Sequence, residues 1–248
     1  MPNISNPISK SISASLNQTI AGFSSGGDAP SGVPIDLGAI LWLDASDATT
    51  ITAPVGGKVT VWADKSGYGN NATQSVTDAS RPITGTRTMN SLNALDFDGI
   101  DDFLDLPSVA TGTSGFTIGF SFVKDDGAVT DYPMSGSTNG DYTRLTNAEK
   151  GFLRSGLKSF TGSETYSIGA EGYLVLERIG LEVFVTLNGG TRDSAVCFAE
   201  NAALWRYIAS ASFGGTFNGL MGEMILIDGE LTSGQKATLE TYLSRWIP

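Results

Sequence analysis

Five aspartates, Asp96, Asp98, Asp101, Asp102 and Asp105, form the densest group of potential ligands in this 248-residue chain. Oxygen donors of this kind suit Ca2+, and Asp96, Asp98, Asp101 and Asp102 are the candidate set. An EF-hand loop is excluded, because the twelfth position counted from Asp96 is Pro107. Turn chemistry is the other reading: Asp98-Gly99 makes a hairpin and the remaining carboxylates solvate or cap it. A second group has the composition of a sugar-reading surface. Tyr68, Tyr132 and Tyr142 stand in polar stretches read as loops, with Asn70 and Arg144 beside them. Aromatic faces next to amides and charges are what glycan recognition uses. Half-buried loop packing is the alternative for each tyrosine.

Several chemistries are closed by counting. The chain has no histidine, so it holds no histidine-dependent triad, His-ligated metal or imidazole proton shuttle of its own. Cys197 is the single cysteine, which excludes an internal disulfide and a structural zinc site, and it reads as a small buried apolar residue. With 15 Lys+Arg against 26 Asp+Glu the net charge is −11, which argues against nucleic acid or an anionic membrane as partner. No apolar run is long enough to span a bilayer, and no charged-then-apolar leader is visible, so neither membrane insertion nor a secretory signal is expected.

The elements that would position these residues are mostly strands. Phe116, Ile118, Phe120 and Phe122 alternate with Thr117, Gly119 and Ser121, the pattern of a half-buried strand. Leu181, Val183, Val185 and Leu187 alternate likewise before the Asn188-Gly189 turn. Further strands are expected at 40–43, 59–63, 95–97, 103–106, 174–178, 207–212 and 219–227. The last is apolar in both phases and should be covered on both faces. Trp42, Trp62, Trp205 and Trp246 fall on these elements or the terminal helix and read as core. One helix is expected at the C-terminus, opened by the capping pair Thr232 and Gln235, with Leu239, Tyr242, Leu243 and Trp246 on its apolar face. Residues 1–34 differ: they are rich in Ser, Asn, Gly and Pro, with Ile4, Ile8, Ile12, Leu16 and Ile20 at a spacing of four. They read as a disordered tail or as an arm that orders when its apolar stripe docks on a partner. Residues 35–248 form the folded domain. The fold class expected is all-β: a two-sheet antiparallel jelly-roll sandwich with an extended N-terminal arm and one short C-terminal helix.

Three segments carry a family resemblance. They are Val59 through Trp62-Ala63-Asp64-Lys65-Ser66-Gly67-Tyr68-Gly69-Asn70-Asn71 to Arg81-Pro82; Asn93 through Asp98-Gly99-Ile100-Asp101-Asp102 to Leu104; and Phe217-Asn218-Gly219 through Glu223 and Asp228 to Tyr242 and Trp246. The Leu176-Glu177-Arg178 strand leading to Asn188-Gly189 fits between the second and third. Together they resemble the concanavalin A-like lectin/glucanase superfamily, in its laminin-G-like and pentraxin-like branch, over about residues 37–246. The resemblance implies the sandwich architecture and leaves function open, since relatives include lectins, adhesion modules, glycosidases and modules of phage particles. Some relatives bind Ca2+. The family's hydrolases carry Glu, one residue, Asp, two residues, Glu on one strand, and that spacing is missing. Glu223 and Asp228, five apart, point to opposite faces of a regular strand, and Gly172 marks a turn between Glu171 and Glu177. Glycosidase activity is therefore not expected. The expected function is a non-enzymatic virion protein of a tailed phage, as capsid decoration or tail-fibre attachment. Its arm would dock on other virion proteins or join a homo-oligomer, a trimer by analogy, and its lectin-like domain would face a host glycan. The alternative is a carbohydrate-binding module acting outside a virion, at a cell surface or in the extracellular space. No cofactor is expected beyond possible Ca2+.

Overall fold

A computed structural model describes residues 34–137, 140–156, 158–196, 202–211 and 214–248. The arm residues Ile4, Ile8, Ile12, Leu16 and Ile20, and Cys197, lie outside the described residues. Pro34, assigned to the arm on composition, is buried in a 3-10 turn spanning Pro34–Leu37.

The strands, in chain order, are β1 (Ala39–Asp44), β2 (Ile51–Thr52), β3 (Val61–Trp62), β4 (Ala72–Thr73), β5 (Ile83–Met89), β6 (Leu92–Asp98) and β7 (Leu104–Ala110). There follow β8 (Gly115–Lys124), β9 (Met134–Gly136), β10 (Tyr142–Leu145), β11 (Lys150–Ser155), β12 (Lys158–Thr165) and β13 (Glu171–Ile179). The last are β14 (Glu182–Leu187), β15 (Asp193–Val196), β16 (Leu204–Ile208), β17 (Ser210–Ala211), β18 (Gly215–Thr216) and β19 (Asn218–Asp228), before helix α1 (Ser233–Leu243). Two antiparallel sheets form the sandwich. One has eight strands in the order β15-β14-β13-β8-β19-β6-β5, with β1 also on β19; the other has nine, β12-β11-β10-β9-β16-β7-β4-β3-β2. One edge of β19 is shared, Asn218–Met221 pairing with β6 and Glu223–Ile227 with β1.

The core lies between the sheets. Phe116, Ile118, Phe120 and Phe122 meet Trp62, Trp205, Leu145 and Leu153 there. All four tryptophans are buried as expected. β8 differs from expectation: it is buried on both faces throughout its ten residues. Its polar phase is hidden because α1 crosses the outer face of the eight-stranded sheet, seating Leu239, Tyr242 and Leu243 against Trp42, Val175 and Ile225. Gly119 makes room, since a Cβ there would stand 2.9 Å from Leu243 Cδ1. Each buried Leu contributes roughly 1.5–3 kcal/mol. The start of α1 is the expected capping box, Thr232 and Gln235 each accepting from the other's backbone N–H. Gly172 does not mark a turn. It sits within β13, where a Cβ would be 3.1 Å from the Phe122 ring. Leu181 belongs to the turn before β14 and is exposed.

Candidate functional site

Tyr132 lies outside the strands as expected, but Tyr142 does not. Tyr142 begins β10, and the turn at Thr146–Glu149 folds β11 back on it, pairing Tyr142 with Arg154 and Arg144 with Phe152. Leu145 and Leu153 in these strands face the core. Tyr142, Arg144, Phe152 and Arg154 therefore lie on the opposite, outer face of the nine-stranded sheet. The row continues laterally through Ser135 and Tyr207 to Asp105. The helix packs on the other sheet, and on this face Pro107, Ser159 and Thr161 are exposed.

Tyr132 reaches the same face from the segment before β9. A buried ion pair between Lys124 and Asp131 fixes that segment, and Lys124 also donates to Val129 O at 2.8 Å. Burial pushes the Asp131 carboxyl up to about 6, against the pull of Lys124. Tyr132 N then donates to Thr216 O at 2.8 Å, and the Tyr132 ring lies against Gly215, where a Cβ would collide with the ring atom Cδ2.

The result is a cage of rings around one guanidinium. Arg144 Cζ is 5.1 Å from the centroid of Tyr132, 4.5 Å from Tyr142 and 4.9 Å from Phe152. Tyr142 stacks on Phe152 at 5.8 Å and 10°, and meets Tyr132 edge-on at 5.7 Å. Arg144 Nη2 donates to Tyr142 Oη at 2.9 Å, and Arg154 lies over the Tyr142 ring at 5.6 Å. Cation–π contacts of this kind contribute roughly 0.5–1 kcal/mol each where exposed and more where desolvated. Tyr142 and Phe152 are themselves buried, at 2% and 8% exposure, under the two arginines. Tyr142 is thus a platform for Arg144 rather than for a ligand, and what the face presents outward is guanidinium and the half-exposed Tyr132.

The other expected residues are not brought here. Tyr68 is 69% exposed at the tip of the β3–β4 loop. Five strand spacings separate β3 from β10 in the sheet, about 24 Å. Asn70 is a brace: its Nδ2 donates to Ile40 O at 2.7 Å and its N–H to Asp64 Oδ2 at 2.9 Å. Phe152, Arg154 and the Lys124–Asp131 pair were not singled out from sequence. The turn-forming Asn147–Glu149 stretch was the local hint that residues 142–145 and 150–155 pair.

Of the four aspartates expected as a cation set, Asp98, Asp101 and Asp102 come together, each offering an oxygen within 4.8 Å of the others. Asp96 does not join them, because Arg87 Nη1 donates to its carboxylate at 3.2 Å. Within the trio one oxygen of each carboxylate already has a donor. Asp98 Oδ1 accepts from Ile100 N at 2.8 Å, Asp102 Oδ2 from Asp98 N at 3.0 Å, and Asp101 Oδ2 from Ser80 Oγ at 2.9 Å. Burial, with Asp98 and Asp101 beside it, pushes Asp102 up to about 6. Burial is the larger cause, and the neighbouring carboxylates add to it.

The buried glutamates are committed beneath α1. Glu223 Oε1 accepts from Trp42 Nε1 at 2.7 Å, and Oε2 from Trp246 Nε1 at 2.6 Å and Arg245 Nη2 at 3.0 Å. Glu177 lies between Lys236 and Arg192, at 2.8 Å from each. These carboxylates hold the helix to the sheet.

No protein-family model matches the chain, and no relative is found among curated proteins. Solved structures do match, at the level of fold. Domain 4 of AbnA, a GH43 extracellular arabinanase from Geobacillus stearothermophilus, in complex with arabinotriose, aligns with a TM-score of 0.58 and 13% identity, over 82% of this chain and 98% of that one. Trypanosoma rangeli sialidase aligns with a TM-score of 0.56 and 14% identity, over 84% of this chain, which spans 33% of the sialidase. An arabinofuranosidase complexed with arabinofuranosyl-alpha-1,2-xylobiose aligns at 0.53 and 14% identity, over 84% of this chain and 59% of that one. The chain has a β-sandwich fold shared with parts of carbohydrate-active proteins. The expectation of a phage virion protein is overturned by these neighbours, which are glycosidase-related and give no support to a capsid or tail role. It rested on the lectin-like sandwich, an arm that lies outside the described residues, the missing leader and disulfides, and the acidic charge, features that the sandwich of a carbohydrate-active protein can share.

Proposed function

We propose that the sandwich is a non-catalytic carbohydrate-binding module whose recognition surface is the outer face of the nine-stranded sheet. The observation that carries this reading is the Tyr132–Tyr142–Arg144–Phe152 cage, a preorganised cluster of aromatic and cationic groups on a sheet face that the helix leaves open. Rigid side chains on paired strands lose little entropy on binding. Fold likeness to a domain of an arabinanase, solved with an arabinotriose, supports a sugar as ligand. The two-sheet antiparallel architecture is compatible with a lectin-like sandwich. A binding rather than hydrolytic role is supported by Glu177 and Glu223. A glycosidase needs two carboxyls facing one substrate, about 5–9.5 Å apart. These two are buried under α1 and paired to Lys236, Arg192, Arg245 and two indoles.

The test is a glycan array on the full chain, followed by titration calorimetry of any hit with wild type and Gly215→Ala. A Cβ at Gly215 must displace the Tyr132 ring, so the variant should stay folded and bind at least about 5-fold more weakly, the loss of roughly 1 kcal/mol. An array blank for the full chain, or a hit untouched by Gly215→Ala, would refute the placement of the site.

A further inference from the structure

The cage has a charge of its own. The chain as a whole carries −11, and most of its arginines stand against acids. Arg87 pairs with Asp125, Arg192 with Glu177, Arg206 with Asp105 and Arg245 with Asp44. Arg81 pairs with Asp78. Arg144 and Arg154 do not: among the described residues no carboxylate oxygen lies within 4.0 Å of either guanidinium. They sit on adjacent strands, diagonal to each other across the Tyr142–Arg154 and Arg144–Phe152 pairs, and both are only partly buried. The acid whose field reaches Arg154 is Asp141. Its carboxyl is pushed up by burial and accepts from Gly156 N at 3.0 Å.

Resting on the carbohydrate-binding reading above, we infer that this surface selects an anionic saccharide, one bearing a carboxylate or sulfate that the Arg144 and Arg154 guanidinium groups bind together. The geometry fits that chemistry. Three ring centroids lie within 5.1 Å of Arg144 Cζ, and Nη2 donates to Tyr142 Oη, so an oxyanion would be met by the remaining N–H groups of Arg144 together with those of Arg154. Arg144 is held by the rings and by the bond from Nη2 to Tyr142 Oη, with no competing acid, and its Nε is buried without a hydrogen-bond partner. Its orientation is set before the ligand arrives. In a strongly acidic protein an unneutralised arginine pair is also a local minimum of repulsion, the place where an anion meets least opposition.

The experiment uses the full chain and a panel of oligosaccharides offered in pairs: uronic- and sialic-acid-containing glycans as free acids and as methyl esters, and sulfated glycans beside their desulfated parents. Free acids or sulfated forms should bind, esters and neutral parents at least about 10-fold more weakly, and affinity should fall as salt rises. The arms identify which anion is taken. Arg144→Ala and Arg154→Ala should each lose about 10–100-fold for the charged form only, while Arg144→Lys, which keeps charge without the planar fork, should lose less. Folding of each variant is checked by thermal melting, and the salt titration of wild type stands as an independent readout if one variant fails to fold. Equal or stronger binding of the neutral partner overturns the inference while leaving the carbohydrate-binding module intact. Charged-glycan binding that survives both arginine substitutions overturns it too. A panel blank in both forms overturns the carbohydrate reading itself.

Discussion

Glu223→Ala removes the acceptor on which Trp42 of β1 and the C-terminal Arg245 and Trp246 converge. The Trp42 and Trp246 indole N–H groups, at 2.7 and 2.6 Å, would be left in a buried site with no oxygen to accept from them. Stranding a buried donor costs about 1–3 kcal/mol, and two are stranded. Arg245 is not fully orphaned, because Asp44 Oδ1 remains at 3.2 Å. Relief of the burial of the carboxylate itself offsets part of the loss, which leaves about 3–5 kcal/mol, the range for breaking one side of a buried charged pair. In a chain of this length each kcal/mol lowers Tm by about 2–4 °C, so the melting point should fall by about 6–20 °C. Glu223→Gln keeps one acceptor oxygen but turns an NH2 towards the other indole, and should lose about half as much. Urea unfolding followed by tryptophan fluorescence measures both, and an unchanged m value confirms that the same surface unfolds. Glycan binding should persist in both variants, since the glutamate lies on the outer face of the other sheet. A loss under about 1 kcal/mol for the alanine variant would refute the argument: the carboxylate would not be the buried acceptor that holds Trp42 and Trp246.

Gly222→Ala should cost about 1–3 kcal/mol, because its Cβ would enter the Trp246 ring that Glu223 holds in place, whereas Gly119→Ala should cost less than about 1, since it meets the flexible end of Leu243. Denaturation midpoints that reverse this order would refute it. Asp102, raised to about 6, binds its proton more tightly folded than unfolded. Its contribution is full below about pH 4 and is lost as pH rises through 6, so Asp102→Asn should flatten that part of the stability–pH curve and raise neutral stability by about 1–2 kcal/mol after allowance for solvent screening. Millimolar Ca2+ should leave the wild-type Tm unchanged if the trio is turn chemistry, and a rise that Asp102→Asn abolishes would show a cation site instead.

What the sequence determined by itself was whatever rests on neighbours along the chain. Alternation from Phe116 to Phe122 placed β8, the Thr232–Gln235 pair placed the start of α1, and the absence of histidine closed whole classes of catalysis. The two apolar phases of β19 announced a strand covered on both faces, and α1 provides the second cover. Tyr142, read as a loop residue like Tyr68 and Tyr132, shows the limit. Residues 142–155 are too polar to alternate, so Tyr142 became a strand residue only through its pairing with Arg154 and its place beneath two guanidinium groups. Glu223 carries no local sign of its role, because Trp42 lies 181 positions away and Trp246 lies beyond a helix. The arginine cage likewise brings the Tyr132 segment against the β10–β11 hairpin, and no spacing rule connects that ring to Arg144. Which face a polar side chain uses, and whether its charge is answered, depends on strand register and on what crosses above it. Those are long-range contacts, and the tertiary structure alone decides them.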